Sequence, residues 1–131
     1  MGLDISTLKK EEENAVILSL KGSLDTQTYE KLKIHADKYI SKGLKALVLD
    51  LQLLDYISSM GVSAILEVRK KTEATGVAFA MTNIPSHIAQ VFKIINALPD
   101  VRIFENMAEA DRYLKGIQDR IKEDKEFNKK A

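Results

Sequence analysis

Apolar side chains recur at every second position near the start of the chain. This spacing predicts β-strands over residues 3–8 and 15–20, because successive side chains of a strand point to opposite faces of a sheet. The charged residues between them predict a turn, so we expect the two strands to form a hairpin. Residues 26–41 then follow a helical spacing, and either Asp25 or Thr26 can cap that helix. The chain therefore opens as strand, strand and helix.

The remainder of the chain alternates between apolar runs and segments of helical spacing. The run over residues 44–51 is nearly continuous, which is typical of a central strand covered on both faces. The same criteria predict five further elements in chain order: a helix over 59–75, a buried strand over 77–81, a helix that opens at 85–86, a short strand over 101–104 and a closing helix from residue 107. Strands that alternate with helices form parallel pairs through right-handed crossovers. The predicted fold class is therefore α/β, with a single mixed, mostly parallel sheet of four to five strands and four helices.

Length and composition limit the organisation and the location of the protein. A chain of 131 residues points to one domain, and we expect residues 1–115 to form it and residues 116–131 to extend the closing helix as a charged tail. The net charge of +1 is too small to attract the protein strongly to nucleic acid or anionic membranes. No apolar run approaches the roughly 20 residues that cross a bilayer. With no cysteine and no signal-peptide pattern, we expect a cytoplasmic protein that contacts neither nucleic acid nor membrane directly.

Side chains that could carry catalysis are few and scattered along the chain. His35 and His87 are predicted on polar faces of separate helices, without the spacing of metal ligands. The chain has neither a Walker loop nor Gly-x-Gly-x-x-Gly, and residues 61–65 fail the nucleophile-elbow pattern because the last of them is not glycine. Asp50 and Asp55 fit a strand-end residue and a loop cap better than an acid–base pair. We therefore expect no enzymatic activity, no cofactor and no metal.

The stretch 55–62, Asp-Tyr-Ile-Ser-Ser-Met-Gly-Val, joins the predicted central strand to the next helix. Either Ser58 or Ser59 can cap that helix, because a serine oxygen accepts from the free N–H groups of a first turn. The same N–H groups and the helix dipole favour a negative group, so a serine here is a suitable place for a phosphate. Gly61 is predicted to pack this turn closely on the sheet, to let a partner approach Ser59, or to do both. Met60 is predicted to serve either the core or a protein contact.

Three motifs in the same order resemble the STAS domain family, which is shared by sulphate transporter tails and anti-sigma factor antagonists. Residues 55–62 resemble its signature, an aromatic or apolar pair followed by Asp-Ser-Ser/Thr/Ala-Gly-Leu, with Ser58 where aspartate is usual and Met60 where a small residue is usual. The loop Gly22-Ser23-Leu24-Asp25 resembles the Gly-x-Leu-Asp loop after the family's second strand. Pro85 and the apolar stripe behind it resemble the family's third helix. The resemblance implies the STAS fold along nearly the whole chain.

In the soluble antagonists of this family, the phosphorylated serine is the second residue before the glycine, which is Ser59 here. The resemblance implies an anti-sigma factor antagonist whose unphosphorylated form binds an anti-sigma factor that is also a serine kinase, and so releases a sigma factor. Phosphorylation of Ser59 by that kinase would end the complex, and a PP2C-type phosphatase would reset the switch. Such a switch requires the Ser59 hydroxyl to be within reach of a kinase. The partner-binding face is expected to comprise Ser23, Asp25, Ser58, Ser59, Met60, Gly61 and Asn83.

Two other functions remain open. One is a STAS scaffold or adaptor without phospho-switching, in a stressosome-like assembly or beside a response-regulator phosphatase, and Ser58 in place of aspartate keeps this hypothesis open. The other is a STAS module that binds a small ligand such as a nucleotide or a lipid, for which the sequence offers no glycine-rich or basic pocket. In each case we expect a monomer or a weak dimer.

Overall fold

The computed structural model describes residues 2–40, 43–97, 116 and 119–123. Its helices and strands follow one another in the predicted order along the chain. They are β1 (Leu3–Lys10), β2 (Ala15–Leu24), α1 (Tyr29–Ile40), β3 (Ala46–Ile57), α2 (Ser59–Ala74), β4 (Ala78–Thr82) and α3 (Ser86–Ala97). Residues 116 and 119–123 are helical as well, where the closing helix was predicted. The predicted strand over 101–104, the start of the closing helix and the end of the charged tail lie outside the described residues.

The four described strands form one mixed sheet in the order β1-β2-β3-β4. β1 and β2 form the predicted antiparallel hairpin, with Leu3 opposite Gly22 and Lys10 opposite Ala15. β2 pairs with β3 and β3 pairs with β4 in parallel, so each pair is connected by a helix that crosses over the sheet. The predicted fold class, α/β with a single mixed and mostly parallel sheet, is confirmed.

The core lies between one face of the sheet and the helices. Alternate residues of the two central strands are fully buried, and α1 and α2 contribute the opposing side chains. Each fully buried leucine of this layer contributes about 1.5–3 kcal/mol to the free energy of folding, because its side chain is removed from water. The buried side chains of this layer include Val16, Leu18, Leu20, Leu47, Leu49, Leu51, Leu32, Ala36, Ile65 and Val68.

Burial of the strands differs from the prediction in two places. The alternate positions Ala46, Val48 and Asp50 of β3 are only partly buried, so the prediction of a strand covered on both faces is wrong. The prediction of a buried fourth strand is also wrong, because β4 exposes three of its five residues and buries Phe79 and Met81 only in part. Both differences have one physical reason: hydrophobic runs do not reveal how completely helices cover the second face of a sheet.

β3 is longer than the apolar run that predicted it. The run ends at Leu51, but the strand continues to Ile57 because β2 keeps pairing with it as far as Leu24. The extension contains two irregularities of register, one between Ser19 and Lys21 of β2 and one between Gly22 and Ser23. Such bulges bend and twist a strand. They carry β3 directly into the start of α2.

No helix in the described part of the chain is long and apolar enough to span a membrane.

Candidate functional site

The junction of β3 and α2 is closed by Ser58, which is the N-cap of α2. The backbone of Ser58 is extended, with φ −94° and ψ 174°, and its Oγ accepts from the N–H of Gly61 at 3.2 Å. Its carbonyl accepts from the N–H of Val62 at 3.0 Å, the first intrahelical bond. Ser58 is 2% exposed. Of the two serines predicted as caps, Ser58 therefore fills the role, and its side chain is committed to the helix.

Ser59 is the first residue of α2 and is 5% exposed. The sequence led us to expect a hydroxyl within reach of a kinase; the structure shows that little of this residue is exposed, and phosphorylation of Ser59 stays a prediction. The turn that carries Ser59 lies against the end of β2, where the main-chain N–H of Ser58 donates to the carbonyl of Leu24 at 2.9 Å. Separation of this turn from the end of β2 would expose more of Ser59.

Gly61 brings the first turn of α2 close to the sheet. A Cβ added at Gly61 would overlap the carbonyl oxygen of Leu24 and would stand 2.8 Å from Cγ1 of Ile57. Of the two roles predicted for this glycine, close packing is therefore what the structure shows. Met60, between Ser59 and Gly61, is partly buried, so the structure leaves both of its predicted roles open.

The loop after β2 lies beside this junction because β2 and β3 are parallel. Ser23 is opposite Tyr56 and Leu24 is opposite Ile57, so the chain leaves both strands at the same edge of the sheet. Ser23 is buried and Asp25 is partly exposed. The structure thus unites the two predicted motifs, Gly22–Asp25 and Ser58–Gly61, in one surface, which we call the junction surface.

Asp25, and not Thr26, organises the entry to α1. Its carboxylate accepts from the N–H of Gln27 at 2.9 Å, and its carbonyl accepts from the N–H of Tyr29 at 2.9 Å. The side chain of Thr28 also holds this loop: its Oγ1 accepts from the N–H of Asp25 at 2.9 Å and donates to the carbonyl of Ser23 at 2.8 Å. The sequence-based prediction missed Thr28. The spacing Asp-x-x-Thr, similar to a capping box, was the pattern that could have found it.

Asn83 does not belong to the junction surface. It follows β4 with φ 55°, and its Nδ2 donates to Oδ1 of Asp50 at 3.3 Å. β4 pairs with β3 only as far as Asp50 within the described residues. From Asp50 to Ile57 the strand advances seven residues, or roughly 23 Å. Asn83 thus lies beside Asp50, at a different level of β3 from Ser59, and its membership of a shared contact face stays a prediction.

The prediction also missed a group of three residues behind the junction. Nε2 of His87 is 2.8 Å from the carbonyl oxygen of Asp55, and Nζ of Lys122 is 3.0 Å from Oδ1 of the same residue. His87 is 7% exposed, so its predicted place on a polar helix face is wrong. No local pattern could have identified these contacts, because 32 and 67 residues separate the partners in sequence.

Two further charged pairs join α1 to α2. Lys33 of α1 contacts Glu67 of α2 at 2.8 Å, and Lys71 contacts Asp37 at 2.6 Å. The hydrogen bond to Glu67, together with the charge of Glu67, raises the pKa of Lys33 above its ordinary value. Among the residues that the structure describes, no group of three or more histidine, aspartate or glutamate side chains could hold a metal ion.

An open groove of about 550 Å³ lies beside the strand end that carries Asp55. Its lining includes Asp4, Lys21, Leu53, Asp55 and His87, so it combines carboxylates, a lysine and an apolar side chain. The volume is in the range of small-molecule pockets. The lining shows no single ligand chemistry, and the small-ligand hypothesis remains a prediction.

Comparison with known proteins identifies the family. A family model described as the STAS domain matches residues 6–110. The chain belongs to the STAS domain family. A relative in Bordetella bronchiseptica, named putative anti-sigma factor antagonist BtrV, is 30% identical over 82 residues, which cover 63% of this chain and 71% of BtrV. The resemblance stated from the three motifs is thereby confirmed.

Solved structures share the fold of this STAS domain. The anti-sigma factor antagonist SpoIIAA in its unphosphorylated form superposes with a TM-score of 0.57 and 19% identity, over 70% of this chain and 82% of that chain. SpoIIAA of Bacillus in its phosphorylated form gives 0.59 and 20%, over 73% and 86%. RsbS S58E of Moorella thermoacetica gives 0.60 and 20%, over 86% and 96%. At these identities, the likeness concerns the fold.

Proposed function

We propose that this STAS domain is an anti-sigma factor antagonist that binds through its junction surface. Its partner is an anti-sigma factor that is also a serine kinase, and binding in the cytoplasm releases a sigma factor. One observation carries the proposal: the parallel register of β2 and β3 brings both family motifs, Gly22–Asp25 and Ser58–Gly61, to one edge of the sheet. The naming of the relative BtrV as a putative anti-sigma factor antagonist supports the choice of partner.

The binding face comprises the exposed and partly exposed atoms of this surface. Asp25 and Met60 are the side chains that a partner reaches directly. Ser23, Ser58 and Gly61 are buried, and they act by fixing the shape of the two loops. A rigid surface of this kind loses little conformational entropy on binding, which favours affinity.

Phosphorylation of Ser59 ends the complex in this proposal. The Ser59 oxygen attacks the γ-phosphorus of ATP bound by the kinase, its proton is lost, and ADP leaves. The phosphate adds about −1.5 to −2 charges beside the free N–H groups of α2, which tolerate an anion. The same charge at a desolvated partner surface is strongly unfavourable. SpoIIAA, a fold neighbour, has been solved in both unphosphorylated and phosphorylated forms. A PP2C-type phosphatase then hydrolyses the phosphoserine.

A second candidate is a STAS scaffold or adaptor that binds through the same surface without a phospho-switch. Two observations favour it: Ser59 is 5% exposed, and Ser58 replaces the aspartate that usually stands beside the acceptor. In this case the partner has no need to modify the domain.

One experiment separates the two candidates. The tagged protein is captured from its own cells, the partner is identified by mass spectrometry, and the purified complex is incubated with Mg²⁺ and ATP. An antagonist gains the mass of one phosphoryl group at Ser59 and dissociates from a partner that contains a kinase domain. Retained binding with no gain of mass at Ser59 supports the scaffold. A partner unrelated to sigma-factor control overturns the antagonist function.

A further inference from the structure

Asp55 is the extra residue in the second bulge between β2 and β3. Gly22 pairs with Leu54 and Ser23 pairs with Tyr56, so Asp55 has no opposite residue in this register. The described pairing with β4 stops earlier, at Asp50. A bulged residue of this kind is left out of the ladder, and a main-chain carbonyl without a partner costs free energy when it is shielded from water. The carbonyl of Asp55 must find its hydrogen-bond donors outside the sheet.

Two side chains from distant parts of the chain supply those donors. Nε2 of His87, near the start of α3, lies 2.8 Å from the Asp55 carbonyl oxygen, and the contact requires a proton on Nε2. Nζ of Lys122 lies 3.4 Å from the same oxygen and 3.0 Å from Oδ1 of Asp55. We call these three residues the Asp55 clamp.

The clamp acts on the segment that leads into the junction. Asp55 is followed by Tyr56 and Ile57, which pair with Ser23 and Leu24, and then directly by Ser58. Only two residues, Tyr56 and Ile57, separate Asp55 from Ser58, and both pair with β2. If Asp55 is held in place, Ser58 therefore has little slack with which to move away from Leu24. Ser59 is 5% exposed in the closed junction, so this separation increases its access to a kinase.

We infer that His87 and Lys122 are positioning residues that hold the junction closed over Ser59. The C-terminal helix, through Lys122, therefore sets how often Ser59 becomes reachable. The effect on junction opening stands without any partner, whereas the effect on phosphorylation rests on the proposed function.

Hydrogen exchange of the full chain tests the clamp directly. The reporters are the N–H groups of Ser58, Gly61 and Val62, whose acceptors are Leu24 and Ser58. In Lys122→Ala we expect these amides to exchange about two- to fivefold faster, the range that the loss of an exposed ion pair produces. Amides in the middle of β2 keep their wild-type rates. Lys122→Arg, which retains a cation, restores slow exchange at the junction.

A matched control exists in the ion pair of Lys33 with Glu67. Its length is 2.8 Å and its side chains are 38% and 61% exposed, against 3.0 Å, 38% and 62% for Lys122 with Asp55. Lys33→Ala should leave exchange at the three reporter amides unchanged. Equal acceleration in both variants, or unchanged junction amides in Lys122→Ala, would overturn the clamp.

His87 is tested by variants that separate hydrogen bonding from packing. His87→Leu fills the buried space without a donor and should accelerate the junction amides, whereas His87→Gln keeps an N–H donor and should accelerate them less. Equal rates in the two variants contradict the proposed role of the Nε2 proton. If His87→Leu does not fold, the Lys122 variants decide the question alone.

The consequence for the switch is measured separately, with the purified kinase partner and ATP. Lys122→Ala should raise the initial rate of Ser59 phosphorylation by the same factor as the junction amides. Faster exchange with no phosphorylation of any variant overturns the phospho-switch and leaves the clamp intact. If Ser59 is phosphorylated and the junction amides of Lys122→Ala exchange at the wild-type rate, the phospho-switch stands and the clamp is overturned.

Discussion

The main-chain N–H of Ser58 donates to the carbonyl oxygen of Leu24 at 2.9 Å, and this bond joins the start of α2 to the end of β2. It connects two motifs that are more than thirty residues apart in the chain. On one side lies the loop that carries Asp25, and on the other lies Ser59. The geometry of the junction surface depends on this contact and on the close packing around it.

Gly61→Ala should destabilise the protein by roughly 1–3 kcal/mol, the usual cost of forcing extra volume into a packed region. The added Cβ would overlap the Leu24 carbonyl, which is main chain and cannot rotate away. Urea unfolding followed by circular dichroism measures the change. Gly116 is the control: it is helical with no neighbouring atom near an added Cβ, so Gly116→Ala should stabilise the helix by about 0.5–1 kcal/mol. Wild-type stability of Gly61→Ala would contradict the packing role.

Ser58→Ala should lower the free energy of unfolding by about 0.5–2 kcal/mol, because the N–H of Gly61 loses the oxygen that accepts it. Ser58→Asp keeps an oxygen that can cap the helix but places a carboxylate at a position that is 2% exposed, so it should recover only part of the lost stability. Ser63→Ala, at an exposed position of the same helix, is the control and should change stability by less than about 0.5 kcal/mol. If Ser58→Ala and Ser63→Ala unfold at the same urea concentration, the cap contributes nothing.

Thr28→Val should cost roughly 1–2 kcal/mol and weaken partner binding. The substitution keeps the side-chain shape but removes the hydroxyl that accepts from Asp25 N–H and donates to the Ser23 carbonyl. Thr26→Val, at an exposed position of the same loop, should change both quantities little. Thermal unfolding and calorimetric titration with the purified partner measure the two effects. A Thr28→Val variant with wild-type stability and affinity would show that this loop does not depend on the two hydrogen bonds of Thr28.

Ser59→Ala should bind the partner with wild-type affinity and take up no phosphate. Ser59→Asp should bind about tenfold or more weakly, because a charge at a desolvated interface costs at least 1.4 kcal/mol. Ser63→Asp places the same charge one turn away at an exposed position and should bind nearly normally. Unfolding curves must accompany the titrations, because Ser59 is buried and an aspartate there also stresses the fold. Equal affinities for the wild type and a folded Ser59→Asp variant would exclude the phospho-switch.

The positions of the elements were predictable because they follow from local periodicity. Strand alternation in β2, the helical spacing behind Ser59 and the proline that precedes α3 each operate within a few residues, and each predicted element appears where the structure describes that part of the chain. The end of β3 was not predictable in the same way. Gln52 and Asp55 are polar and interrupt the apolar run, although β3 stays paired with β2 as far as Ile57.

In the candidate site, too, local motifs could be predicted from the sequence and long-range contacts could not. The two loops that build it could be recognised as motifs, and the parallel order of the strands implied that they meet. The position of Asn83 beside Asp50 could not be predicted, because it depends on where β4 stops pairing with β3, which the register decides. His87 was misjudged because its burial depends on tertiary packing, which also places its Nε2 2.8 Å from the Asp55 carbonyl oxygen, 32 residues away in sequence.

By itself, the sequence determined the alternation of strands and helices, the family motifs and the residue types at the junction, since hydrophobic spacing and capping chemistry act between near neighbours. Only the tertiary structure decided that Ser58 caps the helix, that Ser59 is largely buried at the start of α2 and that His87 and Lys122 contact Asp55. These features depend on register, on bulges and on how closely one turn approaches a strand. Such quantities arise from packing between segments distant in sequence, and no local pattern encodes them.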